Sequence, residues 1–296
     1  MNRDKIKSIL NNIGRILGLL GLVFVLYKIS KEYTLSSFVN KIGDFKTIFI
    51  PLIALNLLSY LIGIYAWRRM MKAYTLKGMK YILAYYYFAK TEIAKYLPGN
   101  VFHFVGRQAL ASKIGLNQKQ MAKISMFHML TIAIGTVVST AIFIMFTDTI
   151  ANYIKYLMIA ASIALLAFIT LIYPTITKYN KLYITLLISI SIAMQGFLLA
   201  IIVVWQLNNP TTSQFFMLAG VFMISWLVGF VTPGASGGLG VREGAFIAIA
   251  NFIHLDISSQ IVLFSIFFVR FVNIVTDVVM YISTFAIKNV ENRDKA

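Results

Sequence analysis

Two short motifs each place an arginine after a Pro-Gly pair, inside stretches that are otherwise apolar. In the first motif Arg107 follows Pro98 by nine residues, and in the second Arg242 follows Pro233 by the same interval. The two copies stand 135 residues apart in the chain. A pattern repeated at one fixed offset predicts an internal duplication.

The arginine and glycine residues of these motifs indicate that they could bind an anion such as phosphate. A guanidinium group is planar and donates two hydrogen bonds at once to a phosphate. The glycine-rich run 234–240 can add backbone N–H groups at a helix start, where anions bind. It is not a nucleotide-binding loop, because no Gly-Lys-Ser/Thr follows it. A structural role stays open as well: each arginine can cap a helix or pair with Glu92 or Glu243, and each glycine can let two hairpins cross closely.

Further candidates lie beside the motifs and in the last apolar segment. Arg270, Asn273 and Asp277 have the spacing i, i+3 and i+7, so they share one face of a helix. Substrate binding, proton relay and a lock between helices all stay open for this face. The predicted substrate-binding residues are Arg107, Arg242, Glu243, Gly234, Gly237, Gly238, Gly240, His103 and Arg270. The predicted gating residues are Pro98, Gly99 and Pro233, and the residues predicted to couple protons are Glu92 and Asp277.

No metal ion and no cofactor is expected. His103, His128 and His254 are too far apart in the sequence to follow a known ligand spacing, and the chain has no cysteine. Neither a zinc site nor a disulfide framework is therefore predicted.

The elements that must position these residues are membrane helices. Of the 296 residues, 59% are apolar and 12% are charged, whereas soluble domains are about 45–50% apolar and about 25% charged. A helix needs about 20 mostly apolar residues to cross a bilayer. Such segments occur at 47–67, 124–146, 154–173, 182–205, 213–231 and 261–287. A weaker segment, 13–29, is interpreted as an uncleaved anchor, because no small-residue cleavage site follows it.

The net charge of +17 is attributed to membrane topology, with no nucleic acid as a partner. No segment outside the predicted spans is long enough to form a basic nucleic-acid-binding domain. Lysine and arginine concentrate in loops that stay in the cytoplasm, and the most basic loop is 68–80. This rule predicts a multi-pass protein of the cell membrane with both termini in the cytoplasm.

The loop charges also predict that the two halves of the chain face opposite ways. Residues 81–113 start and end on the cytoplasmic side, so they are expected to form a hairpin, broken at 97–99, that dips into the membrane and returns. By the same count, the hairpin around Pro233 enters from the outside. Paired broken helices in inverted repeats are typical of alternating-access transporters.

We therefore predict a single all-α polytopic membrane domain over 1–296, built as an inverted-repeat helical bundle with two broken, re-entrant hairpins. Its predicted parts are an N-terminal anchor helix and loop (1–46), repeat 1 (47–146), a connecting helix (147–181), repeat 2 (182–287) and a cytoplasmic tail (288–296).

The two motifs resemble a known family. Residues 92–107 (EIAKYLPGNVFHFVGR) and 232–245 (TPGASGGLGVREGA) are similar to the two signatures of the lysylphosphatidylglycerol synthase transmembrane-region family. This family is the flippase-like membrane part of multiple-peptide-resistance-factor proteins. The resemblance covers nearly the whole chain, and it implies a helical membrane fold with re-entrant segments and a lipid-translocating role. The full-length synthases add a large soluble domain, and this chain stops at Ala296 soon after the last span, so synthase activity and an aminoacylated substrate are not expected.

The expected function is that of a lipid translocase, which moves a phosphate-bearing lipid or a lipid-linked sugar between leaflets through a central cationic cavity. One alternative is a membrane-embedded lipid-headgroup enzyme with Glu92, Glu243 or Asp277 as general acid or base. Another is an accessory subunit of a lipid-modifying transferase. The expected partner is a membrane lipid with an anionic or phosphate headgroup, and a lipid-modifying transferase and a homo-oligomer stay open as further partners.

Overall fold

The structure is a computed structural model that describes residues 40, 42–74, 79–96, 102–172, 176–232, 238, 240–255 and 257–293. Over these residues it contains helices and no strands. The helices are α1 (Lys46–Lys72), α2 (Tyr81–Glu92), α3 (Phe102–Leu110), α4 (Gln118–Met145), α5 (Asn152–Leu171), α6 (Lys178–Val204), α7 (Thr212–Val231), α8 (Val241–Phe252) and α9 (Ser259–Arg293). Short 3-10 turns follow α2 at Ile93–Tyr96 and α3 at Ala111–Ile114.

Six of these helices, α1, α4, α5, α6, α7 and α9, are long and apolar enough to cross a membrane. They coincide with the six predicted strong spans, which confirms the all-α polytopic class. The predicted anchor at 13–29 lies outside the described residues. Two of the spans begin with a capping box, because Asn117 and Thr211 each exchange hydrogen bonds with a glutamine three residues later.

Helices α1 and α6 pack against each other in opposite directions. Asn56 contacts Gln195 near the middle of the pair, and Arg69 contacts Asn180 near one end. The residue number therefore rises along α1 while it falls along α6, so the two helices are antiparallel.

The centre of this pair is a reciprocal contact between two serines. The Ser59 hydroxyl donates to the Ser191 carbonyl at 2.8 Å, and the Ser191 hydroxyl donates to the Ser59 carbonyl at 2.8 Å. Each serine is the middle residue of its own 27-residue helix. A reciprocal contact between equivalent positions is what a local two-fold axis produces, and here it lies halfway along both spans.

The other helix pairs are related by the same two-fold axis, which interchanges α1 with α6, α2 with α7 and α4 with α9. Helix α1 packs on α9, as α6 packs on α4, and α2 packs on α9, as α7 packs on α4. The first two pairs are parallel, as the contacts Phe45–Phe264, Asn56–Thr276, Gly135–Ile188 and Phe143–Phe197 show. This packing supports the predicted inverted repeat, and the division of the chain at 47–146, 147–181 and 182–287 stays a prediction.

Helix α5 has no counterpart under this two-fold axis. It joins α4 to α6, packs on both, and has two buried residues, Ser162 and Ile169. Its place at the edge of the bundle fits the connecting helix that the sequence predicts.

We predict that substituting alanine at two glycines changes stability in opposite directions. A Cβ on Gly135 would stand 3.2 Å from the Ser189 backbone nitrogen, whereas a Cβ on Gly244 would meet nothing within 4 Å. Gly135→Ala should therefore lower the free energy of unfolding by about 1–3 kcal/mol. Gly244→Ala should raise it by about 0.5–1 kcal/mol, since alanine favours a helix over glycine. Thermal unfolding in detergent, followed by tryptophan fluorescence, measures both, and equal effects would contradict the packing described here.

Candidate functional site

A cavity of about 540 Å³ lies between α1, α4, α6, α9 and the two hairpins α2–α3 and α7–α8. Ser59 and Ser191, the midpoints of α1 and α6, are part of its lining. The cavity is therefore placed near the centre of the membrane-spanning bundle. Both motif arginines, Arg107 and Arg242, reach this same cavity.

Arg107 enters from α3 and is 2% exposed. Its Nη2 pairs with the Glu92 carboxylate at 2.7 Å, and its Nη1 lies 3.3 Å from His128 Nδ1. The guanidinium group also lies over the rings of Phe88 and Trp67, with centroid distances of 4.4 Å and 5.2 Å. Ion pairing and cation–π contact together offset the cost of burying this charge.

Arg242 enters from α8 and is 8% exposed. Its guanidinium carbon lies 5.9 Å from the ring centroids of both Phe222 and Trp226. Each motif arginine thus sits among aromatic rings, and the two are supplied by different hairpins.

Lys95 is a site residue that the sequence reasoning missed. Its Nζ contacts the Asp277 carboxylate at 2.8 Å, the Tyr60 hydroxyl at 2.7 Å and the Glu92 carboxylate at 3.3 Å. The signal available in the sequence was the Glu92–Lys95 spacing of i, i+3, which brings opposite charges together on a helix. The contacts with Asp277 and Tyr60 span about 180 and 35 residues of chain, which local spacing does not reveal.

The polar face of α9 reaches both hairpins. Arg270 pairs with Glu243 of α8 at 2.8 Å, while Asp277 pairs with Lys95 beside α2. Between them, the Asn273 amide oxygen accepts a hydrogen bond from the Asn56 side chain at 2.8 Å. Of the roles left open for this face, the observed contacts are those of a lock between helices, and Arg270 and Asn273 also line the cavity.

Three residues predicted to contact substrate, Gly238, Gly240 and Glu243, do not line the cavity. Glu243 is 1% exposed and does not line the cavity. Its Oε1 accepts from Arg270, and its Oε2 accepts from the Gly240 backbone N–H at 2.7 Å. Gly238 has a φ of +71° and packs so closely on Gly229 that a Cβ would stand 3.1 Å from the Gly229 Cα. Gly238 and Gly240 thus contribute to the close packing on α7 and to the start of α8. None of the three residues lines the cavity, and their contact with substrate stays a prediction.

The remaining predicted residues divide into two groups. His103 and Glu92 line the cavity. Pro98, Gly99, Pro233, Gly234 and Gly237 lie outside the described residues, so their gating and binding roles stay predictions. Within the described part of the chain, no group of three or more His, Cys, Asp or Glu residues could hold a metal ion.

No protein-family model matches the chain, and no curated protein matches it significantly.

Breaking the Arg270–Glu243 pair should cost stability. We expect Glu243→Gln to lower the free energy of unfolding by about 3–5 kcal/mol, because a nearly buried guanidinium group loses its counter-charge. The matched control is Asp148→Asn, which changes an exposed carboxylate and should stay within about 0.5 kcal/mol of the wild type. Chemical denaturation in detergent micelles measures both variants, and equal stability of the two would contradict a structural role for the pair.

Proposed function

We propose that this protein is a lipid translocase that moves a phosphate-bearing lipid or lipid-linked sugar between the two leaflets. The observation that carries the proposal is the central cavity, into which two halves of opposite direction each insert one buried arginine, Arg107 or Arg242. The similarity of the two motifs to the lysylphosphatidylglycerol synthase transmembrane-region family supports the same function. We propose membership of that family on this ground, with the cell membrane as location and both termini in the cytoplasm.

The chemistry of the cavity suits a lipid headgroup. Its polar part carries guanidinium groups, and a guanidinium group can donate two hydrogen bonds at once to a phosphate. Its apolar part is built largely from aromatic rings, including Phe104, Trp226 and Phe230. In such surroundings, charge–charge attraction is much stronger than in water. A volume of about 540 Å³ lies within the roughly 300–1,000 Å³ of small-molecule sites, which is suitable for a headgroup.

We infer that one wall of the cavity, formed by α9, opens towards the lipid. Phe271 and Ile274 of α9 line the cavity and are 41% and 42% exposed, respectively. A lipid can thus place its headgroup in the cavity while its acyl chains remain in the bilayer beside α9. This arrangement avoids burying two acyl chains within the protein.

The two-fold relation between the helix pairs is compatible with alternating access. In inverted-repeat transporters, the site lies where the repeats meet, and one repeat rocks against the other around it. Here α9 holds each hairpin through a separate ion pair, Arg270–Glu243 or Lys95–Asp277. We propose that these pairs open in turn as the cavity changes sides, and the predicted proton coupling through Glu92 and Asp277 belongs to this proposal.

The contacts of the carboxylates favour this proposal over a headgroup enzyme. Both oxygens of Glu243 are occupied behind the cavity wall. Glu92 and Asp277 are engaged by cations. A general acid or base must reach the proton that it transfers, and of these three carboxylates only Glu92 lines the cavity.

Loss of the Arg242 charge should slow lipid movement. We expect Arg242→Gln to lower the translocation rate about tenfold or more, because a hydrogen bond to a charged group contributes about 1.5–3 kcal/mol. The translocation rate of Arg242→Lys should lie between those of the wild type and Arg242→Gln, since lysine keeps the charge but lacks the planar guanidinium group. The assay is dithionite quenching of fluorescent phosphatidylglycerol in proteoliposomes. The control is Lys119→Gln, an exposed residue at the start of α4, and wild-type rates in folded Arg242→Gln would refute the proposal.

Narrowing the proposed opening of the cavity beside α9 should also slow translocation. Ile274→Trp adds bulk where the cavity meets the exposed face, so we expect a slower rate with unchanged thermal stability. Val278→Trp is the matched control, because Val278 lies one turn further along α9, is 39% exposed and does not line the cavity. The same proteoliposome assay applies, and an equal effect of the two variants would argue against an opening at Ile274.

A further inference from the structure

A chain of three amide side chains connects α6, α1 and α9 beside the cavity. Gln195 Nε2 donates to Asn56 Oδ1 at 2.7 Å, and Asn56 Nδ2 donates to Asn273 Oδ1 at 2.8 Å. Gln195 and Asn273 line the cavity, whereas Asn56 is 1% exposed and does not line it. The amide chain therefore has a buried centre and two ends at the cavity wall.

The neighbouring hydroxyl groups determine the orientation of each amide. The Thr276 hydroxyl donates to a carbonyl one turn earlier in α9, so it accepts from Asn56 Nδ2, at 2.9 Å. Asn56 must therefore direct both N–H groups to α9 and its oxygen to Gln195. The Ser59 hydroxyl donates to a carbonyl of α6, and it accepts from Gln195 Nε2 at 3.0 Å. Both bonding partners of Gln195 thus require its N–H groups.

Each terminal amide keeps one half that this chain does not use. Gln195 uses both N–H groups on Asn56 and Ser59, which leaves its Oε1, and Asn273 uses its Oδ1, which leaves its Nδ2. Within the described part of the chain, neither of these two atoms has a hydrogen-bond partner, and neither is one of the buried unpaired atoms. The cavity wall therefore presents one accessible acceptor and one accessible donor.

A purely structural role explains only part of this arrangement. Amide hydrogen bonds between membrane helices hold those helices together, and the paired halves of the three amides do this. The two open halves contribute nothing to such a lock. A ligand that displaces water from them without forming hydrogen bonds leaves them unpaired, which is unfavourable. The open halves therefore influence which ligands the cavity accepts.

A hydroxyl group matches both open halves. It donates a hydrogen bond and also accepts one, whereas a phosphate oxygen in a diester only accepts and an ammonium group only donates. Asn273 follows Arg270, which also lines the cavity, by three residues on α9, or about 4.5 Å along the helix axis. Hydroxyl groups on carbons close to a phosphate can therefore reach the amides while the phosphate stays beside a guanidinium group.

We propose that Gln195 and Asn273 recognise hydroxyl groups of the lipid headgroup, so that the substrate is a phosphodiester lipid with a polyol or sugar headgroup. This inference deepens the proposed translocase function and rests on it. A site that hydrogen-bonds a hydroxyl group discriminates strongly against the analogue that lacks it. An alkyl headgroup on the same phosphate is therefore expected to be rejected.

The test compares two lipids that differ only in headgroup hydroxyl groups. Phosphatidylglycerol and phosphatidylpropanol have the same phosphodiester charge and are used with identical acyl chains. Purified protein in detergent is incubated with an equimolar mixture, and mass spectrometry measures the lipid retained. Proteoliposomes with chain-labelled fluorescent forms of both lipids measure translocation. We expect phosphatidylglycerol to be retained and moved at least about tenfold better, because two hydrogen bonds are lost with phosphatidylpropanol.

A pair of glutamine variants assigns the preference to the cavity wall. Gln195→Met keeps the length of the side chain without its polar atoms, and it should lower the preference for phosphatidylglycerol about threefold or more. The matched control is Gln206→Met. Gln206 lies just after α6 and hydrogen-bonds Ser265 of α9 at 2.8 Å, but it does not line the cavity. An equal preference in both folded variants would contradict recognition by Gln195.

A second variant preserves the amide chain and so tests the other end without breaking it. Asn273→Asp keeps the oxygen that accepts from Asn56 and replaces the open N–H group with an oxygen that cannot donate. The added charge acts on both lipids alike, because both carry one phosphate. The ratio of phosphatidylglycerol to phosphatidylpropanol should therefore fall about threefold or more. An unchanged ratio would contradict recognition by Asn273, whatever the stability of Gln195→Met.

A further arm separates a lipid headgroup from a soluble polyol phosphate. Excess glycerol 3-phosphate should leave phosphatidylglycerol bound, because the acyl chains contribute to the affinity. Displacement by glycerol 3-phosphate alone would overturn the assignment to a lipid.

The outcomes distinguish this inference from the function on which it rests. Equal translocation and equal retention of the two lipids would overturn hydroxyl recognition and leave the translocase function standing. Selective retention of phosphatidylglycerol without translocation would support hydroxyl recognition and refute the translocase function. Retention of neither lipid above the level of bulk lipid would overturn the inference.

Discussion

The rest of the structure depends on the cost of placing charge inside a membrane bundle. Seven Lys, Arg, Asp and Glu side chains of the described residues meet at or behind one cavity, and ion pairs such as Arg107–Glu92 and Arg270–Glu243 stabilise them there. A charge at such depth must be paired or solvated. The pairs therefore dictate which helices stand beside each other, and they explain why α9 touches both hairpins.

The two-fold packing of α1 and α6 brings these charged residues to a common cavity. Ser59 and Ser191 meet at the midpoints of α1 and α6, and the cavity opens next to them. Because the two helices are antiparallel, equivalent hairpins approach the centre from opposite faces of the bundle. One arginine from each half then reaches a common space.

The described residues of the second motif have two different physical roles. Gly238 allows a close approach to Gly229, and Gly240 starts α8 in a backbone conformation that favours glycine. Glu243 completes the helix start and holds Arg270. Only Arg242 of these residues lines the cavity. Among the described residues of this motif, Gly238, Gly240 and Glu243 therefore support the start of α8, from which Arg242 reaches the cavity.

The sequence alone determined the class of the protein, the six strong spans and the two arginines that meet in the cavity. It could do so because hydrophobic length and the cost of buried charge are properties of short segments. Only the tertiary structure decided the partners: Lys95 with Asp277, Asn56 with Asn273, and Glu243 behind the cavity wall. These pairs join residues that are far apart in the chain, and their formation depends on how the helices pack. Helical spacing defines which residues share a face, but packing alone defines what that face meets.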